Sequence, residues 1–556
     1  MTALTVVSIR HGSVSIDLKA VPDSADQLLE LALQFEQLEF DGTPGHLELF
    51  ALFLKFCVQQ NKLLALLVFE ALNNELRADE TNIHVAIQQQ ELSEERARAI
   101  IRAYYLLWNV PDACALYQAA VGQAALLSLA STHLMALFGG QRGTGSCLDE
   151  ARWMLQVYKP LVSGYVQHMS EFLCREAQDS RVVAVYPEGL NILEWLSDPE
   201  SAPDARYIET MPIMLPVIGL TQLMQVMVLF KTLFMSPGEL VQKFKDVAGH
   251  SQGIAIAAAF SMMTTEDAFE ELSAKILGIQ MLVGALPQLG YPYYKLNPLS
   301  VHDCAQLRKS TPYPMALVQG ITQPVLEQHM HAFNSRYDTP TKHAYLAVCN
   351  STSQFIITGV TLAVAKFAAY LSSQSALANE DQSRIPYSKR KPVIRITYLQ
   401  ISSPYHCDLL GKCVDPIYNI VQEKQWMLKT SDMQVCVRAC DDGHDIRSEE
   451  DITHYLLQSM CVLPVNWPQA IAAPDVTHMV DFGPGGFDGF GRLAFKNIEG
   501  RGIPVICAGA LLSQLTNSSL GTKANLYQPK MSDVITAPNW LAECGPRLVR
   551  TAHDNK

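Results

Sequence analysis

The chain has 556 residues, 49% of them hydrophobic and 17% charged, a globular composition with a large core rather than a disordered one. Its 42 basic and 55 acidic residues leave a formal charge of −13, and no long Lys/Arg cluster supplies the basic face that nucleic-acid binding needs. Thirteen scattered cysteines, odd in number and without C-x-x-C pairs, read as reduced thiols of an intracellular, cytoplasmic protein, and the start Met1-Thr2-Ala3-Leu4 shows no secretory signal.

Residues 1–130 are expected to be mostly helical, from apolar spacings such as Leu47, Phe50, Leu52, Phe53, Phe56 and then Leu63, Leu64, Leu67, Phe69. This region reads as a structural or docking layer. Leu134-Met135-Ala136-Leu137-Phe138 reads as a strand that enters the glycine turn Gly139-Gly140-Gln141-Arg142-Gly143, followed by a helix from about Ser146. A strand ending in such a turn is where an α/β enzyme places backbone donors. Residues 211–230 carry no charge for 20 positions, which is membrane-spanning length. Pro212, Pro216, Thr221, Gln222 and Gln225 within that run favour a buried core helix and no membrane.

Asp246-Val247-Ala248 then leads into Gly249-His250-Ser251-Gln252-Gly253, a G-x-S-x-G pentapeptide followed by a small-residue run over 254–260. Strand, sharp turn and buried helix put Ser251 at the tip of the turn, beside the backbone N–H groups of a helix start. Residues 313–400 read as β-α-β-β-α-β: strands near 315–318, 343–348, 354–358 and 392–400, helices near 322–333 and 360–373, with Asn350-Ser351-Thr352-Ser353 as the joining turn. Ser402-Ser403-Pro404-Tyr405-His406 follows, and a nucleophilic serine needs a base such as His406. Met479-Val480-Asp481 reads as a strand closed by the turn Phe482-Gly483-Pro484-Gly485-Gly486, and residues 503–508 as a last core strand. Past Leu512 the chain is polar and loop-like. The spacing of Cys436, Cys440, Asp441, Asp442 and His444 is only loosely zinc-like, so no metal is expected.

These motifs resemble one family along nearly the whole chain: the acetyltransferase domain at the N-terminus of the fungal fatty acid synthase β subunit, with fungal starter-unit acyl-carrier-protein transacylases as relatives. The resemblance is carried by His11-Gly12-Ser13, Phe138-Gly139-Gly140-Gln141, Gly189-Leu190-Asn191-Ile192-Leu193-Glu194-Trp195-Leu196, the Ser251 pentapeptide, Asp381-Gln382-Ser383-Arg384-Ile385-Pro386, Ser403-Pro404-Tyr405-His406, Asp481-Phe482-Gly483-Pro484-Gly485-Gly486 and Pro538-Asn539-Trp540-Leu541. It implies an α/β fold: a helical region over 1–130, an α/β hydrolase-like acyltransferase core over 131–312 and 401–512, an inserted ferredoxin-like subdomain over 313–400, and a C-terminal linker over 513–556. It also implies that Ser251 is the acyl-accepting nucleophile and His406 the general base, oriented by backbone carbonyls. The N–H groups of Gln141 and Gln252 would form the oxyanion hole, with Asn350 near the cleft.

The activity implied is transfer of an acyl group from coenzyme A to the phosphopantetheine of an acyl carrier protein by a ping-pong route through acyl-serine. No cofactor is bound permanently, and the partners are the carrier protein and other domains of a fatty acid or polyketide synthase. Malonyl transferases of the superfamily carry an arginine on the helix after the elbow. Ungapped counting puts Leu277 there, which implies a neutral acyl group, acetyl first. Arg142, Cys407 and Phe487-Asp488 depart from the family pattern and leave room for a medium-length starter unit; Arg142 falls at the substrate pocket, where it would crowd the oxyanion loop or contact coenzyme A phosphates. Two readings of other classes compete: a serine thioesterase or other hydrolase, and an inactive scaffold. His406 lies 155 residues after Ser251, with an inserted subdomain between and core segments beyond, which favours the transferase over the hydrolase. Retention of both residues argues against the scaffold.

Overall fold

The computed structural model describes residues 4–40, 42–121, 124–141, 146–291, 312–376, 382–386, 390–512 and 520–530. The N-terminal region is not helical throughout. It opens with a hairpin, β1 (Thr5–His11) paired antiparallel with β2 (Val14–Ala20). Alternate residues Val7, Ile9, Ile16 and Leu18 are buried, and Gly12 takes the left-handed φ of 60° in the turn. Helices Pro22–Phe35, His46–Gln60 and Lys62–Ala78 pack against that ribbon.

The core is a parallel sheet. It contains β3 (Leu134–Phe138), β4 (Phe244–Gly249), β9 (Cys436–Arg438), β11 (His478–Asp481), β12 (Val505–Cys507) and β13 (Leu520–Gly521), in the order β13-β12-β11-β3-β4-β9. Every residue of β3 is buried, the mark of a strand covered on both faces. The carboxyl ends of β11, β3 and β4 lie side by side, and their three glycine-bearing turns meet there. Ligands bind at that end of open α/β sheets.

Residues 211–230 do fold into a core helix. Met211–Thr232 is buried at every residue except Lys231, and it packs closely on Glu266–Gly290. A side chain on Gly219 would fall 2.1 Å from Gln280 Oε1 and 2.9 Å from Leu277 Cδ2, so the close crossing of these two helices needs glycine there.

The inserted unit contains β5 (Met315–Gln319), β6 (Tyr345–Ser351), β7 (Gln354–Thr358) and β8 (Arg395–Leu399), ordered β8-β5-β7-β6 and antiparallel throughout. With helices Gln323–Asn334 and Thr361–Gln374 it is a ferredoxin-like unit. β6 runs through Asn350 and Ser351, so Asn350 belongs to a strand rather than to the joining turn. A short strand of the core segment, β10 (Val465–Asn466), extends this sheet by pairing in parallel with β6.

The chain after Leu512 is more than a linker. β13 adds to the sheet edge, and Lys523–Leu526 is a buried helical turn. The Tyr527 ring stacks on His84 at 4.0 Å, its hydroxyl meets Thr232 Oγ1, and its carbonyl accepts from Asn82 Nδ2 at 2.9 Å. The segment thus fills a slot between the N-terminal layer and the core helix. Tyr527→Ala is expected to lower the unfolding free energy by about 3–5 kcal/mol, read from denaturant titration.

Candidate active site

The site starts from the tightness of the Ser251 turn. A Cβ on Gly249 would lie 2.1 Å from the Gly253 carbonyl carbon, and one on Gly253 would lie 2.2 Å from Phe138 O. Only glycine fits at either position. Between them Ser251 sits at φ 55°, a left-handed conformation costing a non-glycine residue about 1–2 kcal/mol. The helix Gly253–Met262 starts directly behind it. His406 is held in the same region of backbone space at φ 61°, with its N–H donating to Cys461 O at 2.8 Å. Such strain is maintained at sites where a side chain must be aimed.

Ser251 Oγ lies 2.8 Å from His406 Nε2, and His406 Nδ1 lies 2.8 Å from Leu463 O. A carbonyl only accepts, so Nδ1 carries the proton and Nε2 presents its lone pair to the serine hydroxyl. Burial pulls the imidazole from its ordinary 6.5 to about 4, against the opposing effect of the Leu463 bond. His406 is therefore neutral at pH 7 and able to accept a proton. A carbonyl does the orienting, as the resemblance implied.

Gln252 caps the helix behind the serine, and Gln141 lies three residues past the end of β3. Neither backbone N–H has an acceptor among the described residues. The β3 loop lies directly on the elbow: a Cβ on Gly140 would sit 2.7 Å from His250 O and 3.2 Å from Ser251 Cβ. Two free donors beside an activated hydroxyl are the elements of an oxyanion hole.

The loop is fixed from behind by a residue that sequence reading treated only as a polar interruption. Gln222 Nε2 donates to Gly139 O and to Gly483 O, each at 2.8 Å, and Gly139 N–H donates to Gly483 O at 3.2 Å. Glu150 in turn accepts from Gly485 N–H and from Gln225 Nε2, both at 2.7 Å. Burial raises the Glu150 carboxyl, and these bonds work the other way. The signal was present: polar side chains in a fully buried helix must find partners, and those of Gln222 and Gln225 are at the glycine turns and their support.

Asn350 joins the two parts of the molecule. Its Oδ1 accepts from His250 Nε2–H at 2.8 Å, and its carbonyl accepts from Asn497 Nδ2 at 2.8 Å. His250 is also held neutral, pulled by burial to about 4.

An inner cavity of about 550 Å³, its open mouth included, adjoins Ser251 and His406. Met211, Leu215, Val283, Met315 and Met460 form much of its apolar wall. It shares Gln141, Ile356, Leu399 and Ile401 with an outer chamber of about 1060 Å³ that also includes Asn350. Leu277 does not line either space. It is fully buried against Gly219 at the helix crossing, and the residue of its helix that faces the cavity is Val283. Arg142 lies outside the described residues. Cys407 is buried, its thiol 3.2 Å from Pro404 O. Cys440 donates to Gly249 O at 2.9 Å, behind the elbow, and the ring nitrogens of His444 are engaged by Asp442 and Glu449. Asp441, Asp442 and His444 do cluster, without either cysteine.

A serine elbow on a parallel sheet, a carbonyl-oriented histidine and an inserted ferredoxin-like unit define the acyltransferase class. Residues 136–392 match the family model described as starter unit:ACP transacylase in aflatoxin biosynthesis. The fatty acid synthase subunit β of Schizosaccharomyces pombe is 31% identical over 500 residues, covering 88% of this chain and 23% of its own length. That of Saccharomyces cerevisiae is 30% identical over 424 residues, covering 76% and 20%. Among solved structures, FabD from Acinetobacter baumannii aligns at 16% identity and a TM-score of 0.44, over 68% of this chain and 94% of that one. The chain is thus similar to starter-unit acyltransferases and to the fungal fatty acid synthase β subunits, and it spans less than a quarter of the length of the two β subunits.

Gln222→Glu replaces a donor to two carbonyls with a carboxylate of the same shape. It is expected to lower kcat by about 10- to 100-fold, as for a misplaced oxyanion donor, with little change in KM for the acyl thioester. Steady-state kinetics beside a melting curve separate this from loss of folded protein.

Proposed function

We propose that this chain moves a neutral acyl group, acetyl first, from coenzyme A to the phosphopantetheine thiol of an acyl carrier protein, and so primes fatty acid synthesis. The observation that carries the choice of acyl group is the inner cavity beside Ser251. Its wall is apolar, and no lysine or arginine occurs among its described lining residues. A malonyl carboxylate there would be buried without a partner, at a cost of several kcal/mol.

The chemistry follows from the geometry. His406 Nε2 takes the Ser251 proton as Oγ attacks the thioester carbonyl. The Gln141 and Gln252 N–H groups hold the tetrahedral oxyanion, each worth about 3 kcal/mol. His406 returns the proton to the departing coenzyme A thiolate, leaving acyl-Ser251. The carrier's thiol then enters, gives its proton to His406 and attacks the ester, so the exchange is ping-pong. The apolar wall of the cavity disfavours water as the competing nucleophile, which supports transfer over hydrolysis. The fatty acid synthase relatives suggest further synthase domains as the working surroundings. Three methionines in the wall, unbranched and adaptable, also favour a second reading in which a medium-length starter unit is accommodated.

Intact-mass analysis after incubation with acetyl-, hexanoyl- and malonyl-coenzyme A tests both readings. Acetyl or hexanoyl adducts that vanish in Ser251→Ala support the proposal, and Val283→Arg is expected to shift labelling toward malonyl. Malonyl labelling of the unaltered protein above the other two would contradict it.

A further inference from the structure

The outer chamber contains a pair of cations that the acyl chemistry does not use. Arg492 and Lys496 stand one turn apart on the helix Phe490–Asn497 and line the chamber together with Leu493 between them. In a chain with a formal charge of −13, the two cations are local exceptions at the mouth of the site. Lys496 is exposed and makes no ion pair among the described residues. Among the described residues Arg492 meets only Asp488, at 3.1 Å with both side chains more than 60% exposed, a pairing worth little in water.

Their helix is firmly placed. Asp481 Oδ2 accepts from Gly491 N–H at 2.8 Å, Asn497 Nδ2 donates to Asn350 O at 2.8 Å, and the Phe490 ring lies 4.6 Å from the His250 ring. The same helix therefore touches the strand end of β11, strand β6 and the residue before Ser251. The cation pair is thereby held in a set relation to the nucleophile: the pair lines the outer chamber, Ser251 lines the inner cavity, and the two spaces share Gln141, Ile356, Leu399 and Ile401 as wall.

We propose that Arg492 and Lys496 form the subsite for the phosphate at the far end of the pantetheine arm. This rests on the acyl-transfer reading. A thioester that places its acyl group in the inner cavity leads its pantetheine arm out past the wall shared by the two spaces. The arm's other end carries a phosphate in both substrates, as part of coenzyme A or as the phosphodiester to the carrier protein. One pair of cations thus serves donor and acceptor, the economy a ping-pong site needs. A guanidinium matches a phosphate with two parallel hydrogen bonds, and an ammonium adds a point charge.

The test compares the double variant Arg492→Ala/Lys496→Ala with the unaltered protein on three acetyl thioesters: coenzyme A, 4′-phosphopantetheine and N-acetylcysteamine. KM is expected to rise by about 5- to 10-fold for the first two and for the carrier protein, and added salt should narrow the difference. The N-acetylcysteamine thioester, which has no phosphate, should show no such rise. An equal rise on all three substrates would mean a general structural role and overturn the proposal. A rise with coenzyme A alone would place the nucleotide end at the pair and equally overturn it. Unchanged KM on every substrate, with turnover intact, would remove the subsite but leave the acyl-transfer reading standing. Absence of Ser251-dependent turnover on all three in the unaltered protein would fail that reading instead.

Discussion

The hydrogen bond from His406 Nδ1 to the Leu463 carbonyl is the constraint on which the site turns. A neutral acceptor fixes the tautomer without adding a charge. The imidazole is thereby left basic only at Nε2, where Ser251 Oγ stands. A carboxylate in that position would stabilise an imidazolium and raise its pKa, but here burial dominates and keeps the ring neutral. The base is thus present in its working form at neutral pH, and the transient positive charge of the transition state has to be balanced by the oxyanion held opposite it.

That demand explains the polar construction beneath the site. The parallel sheet delivers three turns to one place, after β3, β4 and β11, and two of them have to be locked together. Gln222 does so from a largely apolar helix, and Glu150 supports the β11 turn. The two bonds donated by Gln222 Nε2 and those accepted by Glu150 offset the cost of burying these groups, since an unpaired amide at the same depth would cost about 1–3 kcal/mol. The ferredoxin-like unit closes the cleft through Asn350, which takes its bond from His250, the residue beside the nucleophile. Chemistry and subdomain closure are therefore joined at adjacent residues.

Much of this was legible in the sequence because it depends on short-range rules. The glycines around Ser251 are demanded by contacts within the turn itself, and the four strands and two helices of the inserted unit follow from local periodicity. The N-terminal hairpin was equally readable, from period-two alternation on either side of Gly12-Ser13, but was hidden by the stronger helical pattern that follows it. Leu277 failed for a geometric reason. Counting along a sequence ignores the phase of a helix, and six residues separate it from Val283, a rotation of about 600° that leaves the two about 120° apart around the helix axis. The segment from Leu520 to Gln528 could not be read locally at all. Its burial depends on a slot formed by Asn82, His84 and Thr232, far away in the chain.

The central claim is that a buried, neutral His406 with its proton on Nδ1 is the base for Ser251. Nitrogen-15 NMR of the histidine-labelled protein, with His406 assigned by comparison with His406→Ala, reads the tautomer and its titration together. The account predicts the Nδ1–H form at pH 7 and a protonation midpoint near 4, well below the ordinary 6.5. An imidazolium at pH 7, or a neutral ring protonated on Nε2, would contradict it.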